Sequence, residues 1–569
     1  MKRLYSFDGL WLALVVLGWA ELPVGAANLY VDSLDDGGKG SLRRAIFSAR
    51  SGDTIGFLVN GRITLTTGEL AIGKHLTIAG PGMKLLAIDG NGASRVFNIL
   101  SNTTATISGL TITNGLDVGI LDGTEENEAG AAGGVLNDGN LTLVDCSISG
   151  NKAQGAGGGG YWINFAGTAY GGGLLNNGSL NLENCSITGN VAIGGWIDQQ
   201  WNYRLAGAAR GGGIANHGTL SLSRCTVSGN AANGGSSAYI CGAGIGGGIL
   251  NTGILSLTRC TIDNNSANGG SLWQQFGPYA GGRGAGGGIA NEGTLNLNTC
   301  TLVVNRAWAG MSVVNGTGPP ADGGGIWNSE TGGVARVLSC TISSNDCRGM
   351  LGQFPGDSNG GGISTAIGGF SASVTIENSI VSGNHAWDEC DCGTAHGMDV
   401  MGPVISGGFN LVGDTYSSSG WAGTDVRTLS PGLGPLQDNG GPTRTMALLP
   451  SSPAIDQGYS PGWPIDQRGF PRPVDFSSYR NAAGGDGSDI GAYEVQPILD
   501  IGFCGFDGIK TNKFACELPG IGGVYSSPFR ITRNGTNYGV LLVPTNSPDA
   551  SKFRIQTASG TKSLMKLLP

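Results

Sequence analysis

The sequence predicts an all-β fold: a right-handed parallel β-helix of roughly ten rungs, with an N-terminal capping helix and a small C-terminal β module. Three observations predict it. First, a block recurs. GGGIANHGTLSLSRCTVSGN, from Gly211 to Asn230, has close counterparts from Gly171, Gly246 and Gly286, a looser one from Ala132 and stretched ones from Gly323 and Gly360. Second, apolar residues alternate with polar ones over short runs, as in Leu220, Leu222, Cys225 and Val227. That is strand spacing and not helix spacing. Third, the spacing from the last Asn of one block to the first residue of the next triple glycine varies from 15 to 21 positions. A fixed core with connectors of changing length marks a solenoid whose insertions leave on one side.

About 20 residues with three short strands are expected to make one triangular coil, each strand pairing in parallel with its copy one rung on at ~4.8 Å. Crossovers between parallel strands are right-handed, hence the handedness. The glycine-rich connectors lack the apolar alternation that a second coil would need. A single coil cannot bury its inward face, but a stack can. Cys146, Cys185, Cys225, Cys260 and Cys300 fall in one slot, 14 residues after the start of each block, Cys340 takes that slot in a stretched copy, and all six are expected to be buried, reduced small hydrophobes. Leu110 and Ser379 take that slot at the two ends, and an asparagine follows five residues later in every copy, from Asn151 to Asn384. Asn137, Asn176, Asn216, Asn251, Asn291 and Asn328 form another column, where stacked amides hydrogen-bond along the axis.

The elements follow in order. Residues 1–27 have a basic tip, an apolar run from Gly9 to Ala20 and a small-residue site near Ala26 or Ala27, which reads as an export signal. The apolar run is too short for a spanning helix, and nothing later is long enough, so no membrane span is expected in the mature chain. Residues 28–100 read as a cap and the first rungs, with a strand, a short helix around Ser41 to Ala49 and another strand. Residues 101–413 are the β-helix, 414–494 a proline-rich closing segment and 495–569 a small β module expected to serve in sorting or anchoring.

The opening GSLRRAI and GDTIGF, the closing SPAIDQG, DQRGFPRP and DIGAYE, and the GGGI…N repeats resemble the bacterial choice-of-anchor Q family. Those are exported β-helix proteins, related in repeat pattern to polymorphic outer-membrane proteins. The resemblance covers roughly Asn28 to Glu494 and brings no catalytic residues. It implies an extracellular or surface-held bacterial protein. The segment after Glu494 departs from the family's short anchors and is too short for an outer-membrane barrel.

Charge narrows the partners. A net charge of −9 argues against nucleic acid or an anionic membrane. A monomer is expected, with polysaccharide or cell-surface glycan as partner and no cofactor. Twelve cysteines in an exported chain suggest disulfides. Stacked cysteines one rung apart have poor bridging geometry, so bridges are expected from Cys347 to Cys390 or Cys392, and from Cys504 to Cys516.

Two function classes stay open: a non-catalytic adhesive, glycan-binding or structural surface protein, and a lyase or glycoside hydrolase on a β-helix scaffold. Glycosidases need two facing carboxylates, yet no acidic column recurs. The column before the triple glycine reads Tyr170, Arg210, Ile245, Ala285, Asp322, Asn359, and Arg210 and Arg283 have no acidic cluster in register. His385, Cys390, Cys392 and His396 are dense enough to hold zinc or copper, with a disulfide as the competing reading. In the closing motifs, Asp456, Asp466, Arg468, Arg472, Asp475, Asp489 and Glu494 suggest ion pairs locking a terminal cap, with calcium the competing reading. Six of the 11 tryptophans lie in the connectors. Trp162, Trp196, Trp201, Tyr203, Trp273 and Phe276 are therefore the candidate ligand-binding residues, with Gln199, Gln200, Gln274 and Gln275 as hydrogen-bonding neighbours. Satellite core packing under the loops is the alternative.

Overall fold

The computed structural model describes residues 26–120, 129–158, 165–197, 205–272, 281–312, 318–349, 356–365, 372–388, 395–460 and 462–497, and the backbone of four strands between 529 and 563. The export-signal reading and the Cys504–Cys516 bridge lie outside the described residues.

One coil of the repeat that starts at Gly171 shows the plan. It runs through five strands: Leu174–Asn176, Ser179–Glu183, Ser186–Thr188, Val191–Ile193 and Ala209–Arg210. Each pairs in parallel with its copy in the neighbouring coil, so five sheets, first to fifth, run along the axis. The second and third sheets hold twelve strands, the first eleven, and the fourth and fifth eight each. This is a parallel β-solenoid. Eight stacked strands give seven full turns of the five-strand coil, with simpler coils at either end. The expected count of roughly ten rungs and the three-strand triangle are both corrected. The connectors are not simply loops: their ends supply the fourth and fifth sheets.

Those two sheets escape a hydrophobicity pattern because their inner residues are alanine and glycine. The first three sheets enclose an aliphatic core, with Leu174, Leu182 and Ile187 at 0% exposure. The fourth and fifth instead face each other through Ala153, Ala169, Ala192, Ala209 and Ala232, and further on through Ala309, Ala321, Cys347 and Ala386. The coil therefore has a large aliphatic lobe and a thin alanine lobe.

Glycine sets the boundary and the tip of the thin lobe. At the boundary the triple glycine folds the fifth strand into the next first strand, with Gly211 at φ +72. A Cβ on Gly212 would lie 2.3 Å from the Ala231 carbonyl carbon, so two backbones touch with nothing between them. Towards the tip, a zigzag of backbone hydrogen bonds crosses the lobe. Gly310 donates to Gly282, Gly282 to Gly270, Gly270 to Gly242, Gly242 to Gly235 and Gly235 to Gly207, all at 2.8–2.9 Å. Gly207 then donates to Gly195, Gly195 to Gly167 and Gly167 to the Ala156 carbonyl. A Cβ on Gly207 would sit 1.8 Å from the Gly167 oxygen.

Three side-chain ladders hold the register. In the first, each of Asn137, Asn176, Asn216, Asn251 and Asn291 donates from Nδ2 to the Oδ1 of the next, ending at Asn328, at 2.7–2.8 Å. In the second, the Asn190 Oδ1 accepts both the backbone N–H and the Nδ2 of Asn151, and this repeats through Asn230, Asn265, Asn305, Asn345 and Asn384. It ends on Asp399, whose Oδ1 accepts from Asn384. The last member of such a ladder needs only to accept, which a carboxylate does. In the third, the backbone N–H of Cys185, Cys225, Cys260 and Cys300 points at the next sulfur, 3.3–3.4 Å away. That column continues through Ser379 and Asn410 and also ends on an aspartate, Asp425.

The ends differ from expectation. The helix, Leu42–Ser48, is N-capped by Ser41, whose hydroxyl accepts from the Arg44 N–H. It is no separate lid. It is the crossover between the parallel strands Asn28–Val31 and Thr54–Phe57, and it buries Leu42, Ala45 and Ile46 in the first coil. The closing segment is no end cap either: it runs along the outside of the third sheet. Thr261, Thr301 and Thr341, in register one coil apart, each bond it: to the Arg444 carbonyl, the Gln467 Oε1 and the Ala492 N–H. After Glu494 the described backbone is a four-stranded antiparallel sheet, Phe529–Arg533, Thr536–Val540, Arg554–Thr557 and Gly560–Ser563.

Three substitutions test this packing. Gly207→Ala forces a methyl into a carbonyl and is expected to cost at least about 3 kcal/mol, whereas Gly189→Ala, at φ +63 with open space around it, costs roughly 1–2 kcal/mol. Val304 is β-branched at φ +58 in a corner where Gly150, Gly189 and Gly229 stand in other coils. Val304→Gly should therefore raise stability by about 1 kcal/mol. Urea denaturation checks all three; equal losses for Gly207→Ala and Gly189→Ala would contradict the packing.

Candidate functional site

The outer face of the fourth sheet carries a concentration of exposed aromatic rings. In each coil, residues one and three places after the ladder asparagine point outward, and the residue between them is buried alanine or cysteine. Parallel pairing lines these up. Ser266, Arg306, Asp346 and His385 form one column; Asn268, Trp308, Arg348 and Trp387 form the other.

Trp308 and Trp387 are 37% and 58% exposed. One coil lies between them, and it supplies Asp346. The Trp308 Nε1–H donates to Oδ2 of Asp346 at 3.1 Å and the Trp387 Nε1–H to Oδ1 at 2.6 Å. A single carboxylate thus fixes two indoles by their polar edges. The Arg306 guanidinium lies 5.7 Å from the Trp308 ring centre, and the His385 ring 6.0 Å from that of Trp387. Further along the face, the Asn268 Nδ2 donates to the Asn233 Oδ1 at 2.8 Å. Held apolar rings beside amides and a guanidinium suit a ligand with both flat apolar faces and hydroxyls.

Of the six aromatic residues expected to bind ligand, Trp196 is described. It is 52% exposed, near the base of its connector. Trp162, Trp201, Tyr203, Trp273 and Phe276, and the four glutamines near them, lie outside the described residues. The connector bases are in register at the thin-lobe tip, where Gly158 bridges Ile197, Phe165 bridges Leu205, and Leu205 bridges Ile240. Trp308 and Trp387 are not among those six. Their signal was available, since both stand three residues after a ladder asparagine, Asn305 and Asn384.

The other candidates sort out as follows. Cys347 is a free buried thiol facing the alanine lobe, 3.1 Å from the Ala321 carbonyl, so it does not bridge to Cys390 or Cys392. Its slot in the fourth sheet points inward, between Ala307 and Ala386, and that is why the bridge fails. Cys390 and Cys392 lie outside the described residues. His385 is exposed, and the His396 backbone pairs opposite Asn359. Among the described residues no three His, Cys, Asp or Glu side chains gather as metal ligands. Arg283 and Arg210, expected to have no acidic cluster in register, each meet one carboxylate: Arg283 pairs with Asp322 at 2.7 Å and covers the Trp327 ring, and Arg210 pairs with Glu292 at 3.5 Å. Each arginine reaches that carboxylate in another strand or coil.

In the closing segment Arg468–Asp466 and Arg472–Glu494 are buried ion pairs at 2.7 and 2.8 Å. Their carboxylates also accept backbone N–H groups: Asp466 from Arg468, Phe470 and Glu494, and Glu494 from Val474 and Asp489. Asp489 accepts from Asp456 and Val495, and burial pushes its carboxyl up. Oxygens directed at so many donors are arranged as a fold lock rather than a cation cage. Asp475 lies beside Asn481.

No protein-family model matches this chain, and no curated protein matches it. Solved structures do. Pectate lyase Pel9A is 13% identical, over 83% of this chain and 97% of its own, with a TM-score of 0.35. The ORF18 protein of Geobacillus virus E2 is 10% identical, over 94% and 86%, at 0.27. A mannuronic acid specific polysaccharide family 6 lyase from human gut microbiota is 10% identical, over 71% and 83%, at 0.23. Likenesses this distant do not bear on what the chain does.

The cysteine column is chemically quiet. Burial pushes the Cys225, Cys260 and Cys300 thiols well above their ordinary range, and Cys241 up to about 11. Thiolate is the reactive form, so iodoacetamide should leave these four unlabelled in the native protein at pH 8 and label them in denaturant. Peptide mass spectrometry reads the outcome; native labelling of Cys225 or Cys260 would contradict the buried column.

Proposed function

We propose that this protein is a non-catalytic glycan-binding β-helix, exported by a bacterium and acting as a monomer outside the cell or at its surface. We further propose a right-handed coil and membership of the choice-of-anchor Q family, with the residues after Glu494 serving in sorting or anchoring. The observation that carries the binding reading is the outward aromatic face of the thin lobe, where Trp196, Trp308 and Trp387 are each more than a third exposed. Isolated surface aromatics need no explanation. Two indoles in one column, fixed by their N–H groups to one carboxylate, present ring surface that the fold itself does not cover. The C–H faces of pyranose rings are flat and apolar and stack on such surfaces, while their hydroxyls reach neighbouring amides and charges.

The competing reading is an enzyme acting on a polysaccharide. Its cationic candidates for a base, Arg210 and Arg283, are engaged with Glu292 and Asp322. One experiment separates the two. The secreted protein is applied to a glycan array and, in parallel, incubated with the polysaccharides it retains while reducing ends and unsaturated uronates are measured. Binding without product release is expected. Release of either product would overturn the non-catalytic reading, and absence of binding to every glycan would overturn the glycan reading.

A further inference from the structure

We infer that Trp308 and Trp387 together form one subsite for an extended β-1,4-linked glycan lying parallel to the solenoid axis. This rests on the glycan-binding reading above and goes on to specify the class of chain.

Spacing comes first. Trp308 is opposite Arg348 and Arg348 opposite Trp387, so the tryptophans stand two rungs apart in one straight column. At the strand spacing of parallel sheets, two rungs are about 10 Å. The asparagine ladder that borders the fourth sheet prevents that distance from drifting. Asn305, Asn345 and Asn384, each three residues before its column member, hydrogen-bond in sequence at 2.9–3.0 Å.

Orientation comes second. Both indole N–H groups are engaged by Asp346, so the surface left to a ligand is ring face and carbon edge. A chain that stacks on both rings must be straight and must present the same face at the pitch of two rungs. In an extended β-1,4-linked chain alternate residues share an orientation, and the disaccharide repeat has about that length. Chains that coil, such as α-1,4 or β-1,3 glucans, can stack on one ring but turn away from the second. Beyond the rings, Asn268 and Asn233 continue the same column towards the N-terminal end, where the Asn268 Nδ2 donates to the Asn233 Oδ1 and the Ser266 Oγ.

The test uses the full secreted chain. Affinity for cellohexaose and chitohexaose is compared with that for cellobiose, maltohexaose and laminarihexaose, by calorimetry and by the change in tryptophan fluorescence. The β-1,4 hexamers should bind, and cellobiose, too short to span both rings, should bind at least about tenfold more weakly. Trp308→Ala and Trp387→Ala should each weaken hexamer binding about tenfold, near 1.4 kcal/mol. Both side chains are exposed, and unchanged thermal melts confirm that the variants are folded. Equal affinity for coiled and extended hexamers, or full binding by both folded variants, overturns this inference and leaves the glycan reading in place. If no glycan of any linkage binds, both fall.

Discussion

The fold depends on two backbones meeting with no side chain between them. At the mouth of the thin lobe, and again along its tip, peptide groups from opposite walls approach within hydrogen-bonding distance, which glycine alone permits. The chain has 106 glycines, and the structure gives many of them this single job. Gly207 donates to Gly195, Gly195 to Gly167, and the pattern steps on from coil to coil. Because the walls are that close, the sheets beside them carry alanine or glycine inside, and larger groups must face outward. The aromatic character of the lobe's outer face is thus coupled to the poverty of its interior.

Register is what turns this scaffold into a ruler. Parallel strands of two or three residues cannot specify their own alignment well, because short runs of alternating residues tolerate slippage. The asparagine ladders remove that freedom, since each amide is both donor to one coil and acceptor from another and no slipped register satisfies both. The ending of the second asparagine ladder on Asp399, and of the cysteine column on Asp425, follows from the same polarity. Burial raises the Asp399 carboxyl, while hydrogen bonds from Asn384 and Asp414 act in the opposite sense. The spacing between Trp308 and Trp387 is therefore a property of the ladders more than of the tryptophans.

Much of this was legible in the sequence. The recurring block, its period-two strands, the inward cysteine slot and the asparagine column are local patterns, and local patterns survive in a one-dimensional reading. The fourth and fifth sheets were not legible. Residues such as Ala153 and Ala169 bury little surface and look like linker, because what specifies those strands is the opposite wall and not their own hydrophobicity. The side-on position of the closing segment was hidden too. Gln467 reaches Cys260 and Thr261 across about 200 residues of chain, and no periodicity encodes that. The indole pair was within reach, because counting three places from each ladder asparagine brings both rings into one column. Its shared carboxylate was not, because Asp346 belongs to the column beside it.

The central claim is that glycine amides crossing the thin lobe are structural hydrogen bonds and not loop backbone. Native-state hydrogen exchange measures this directly. The amides of Gly195, Gly207, Gly235, Gly242, Gly270 and Gly282 should exchange as slowly as those of core strand residues such as Leu182 and Leu222. Exchange at the rate of exposed backbone, with Leu182 and Leu222 still protected, would show that the lobe does not close as described and would remove the basis for its fixed aromatic face.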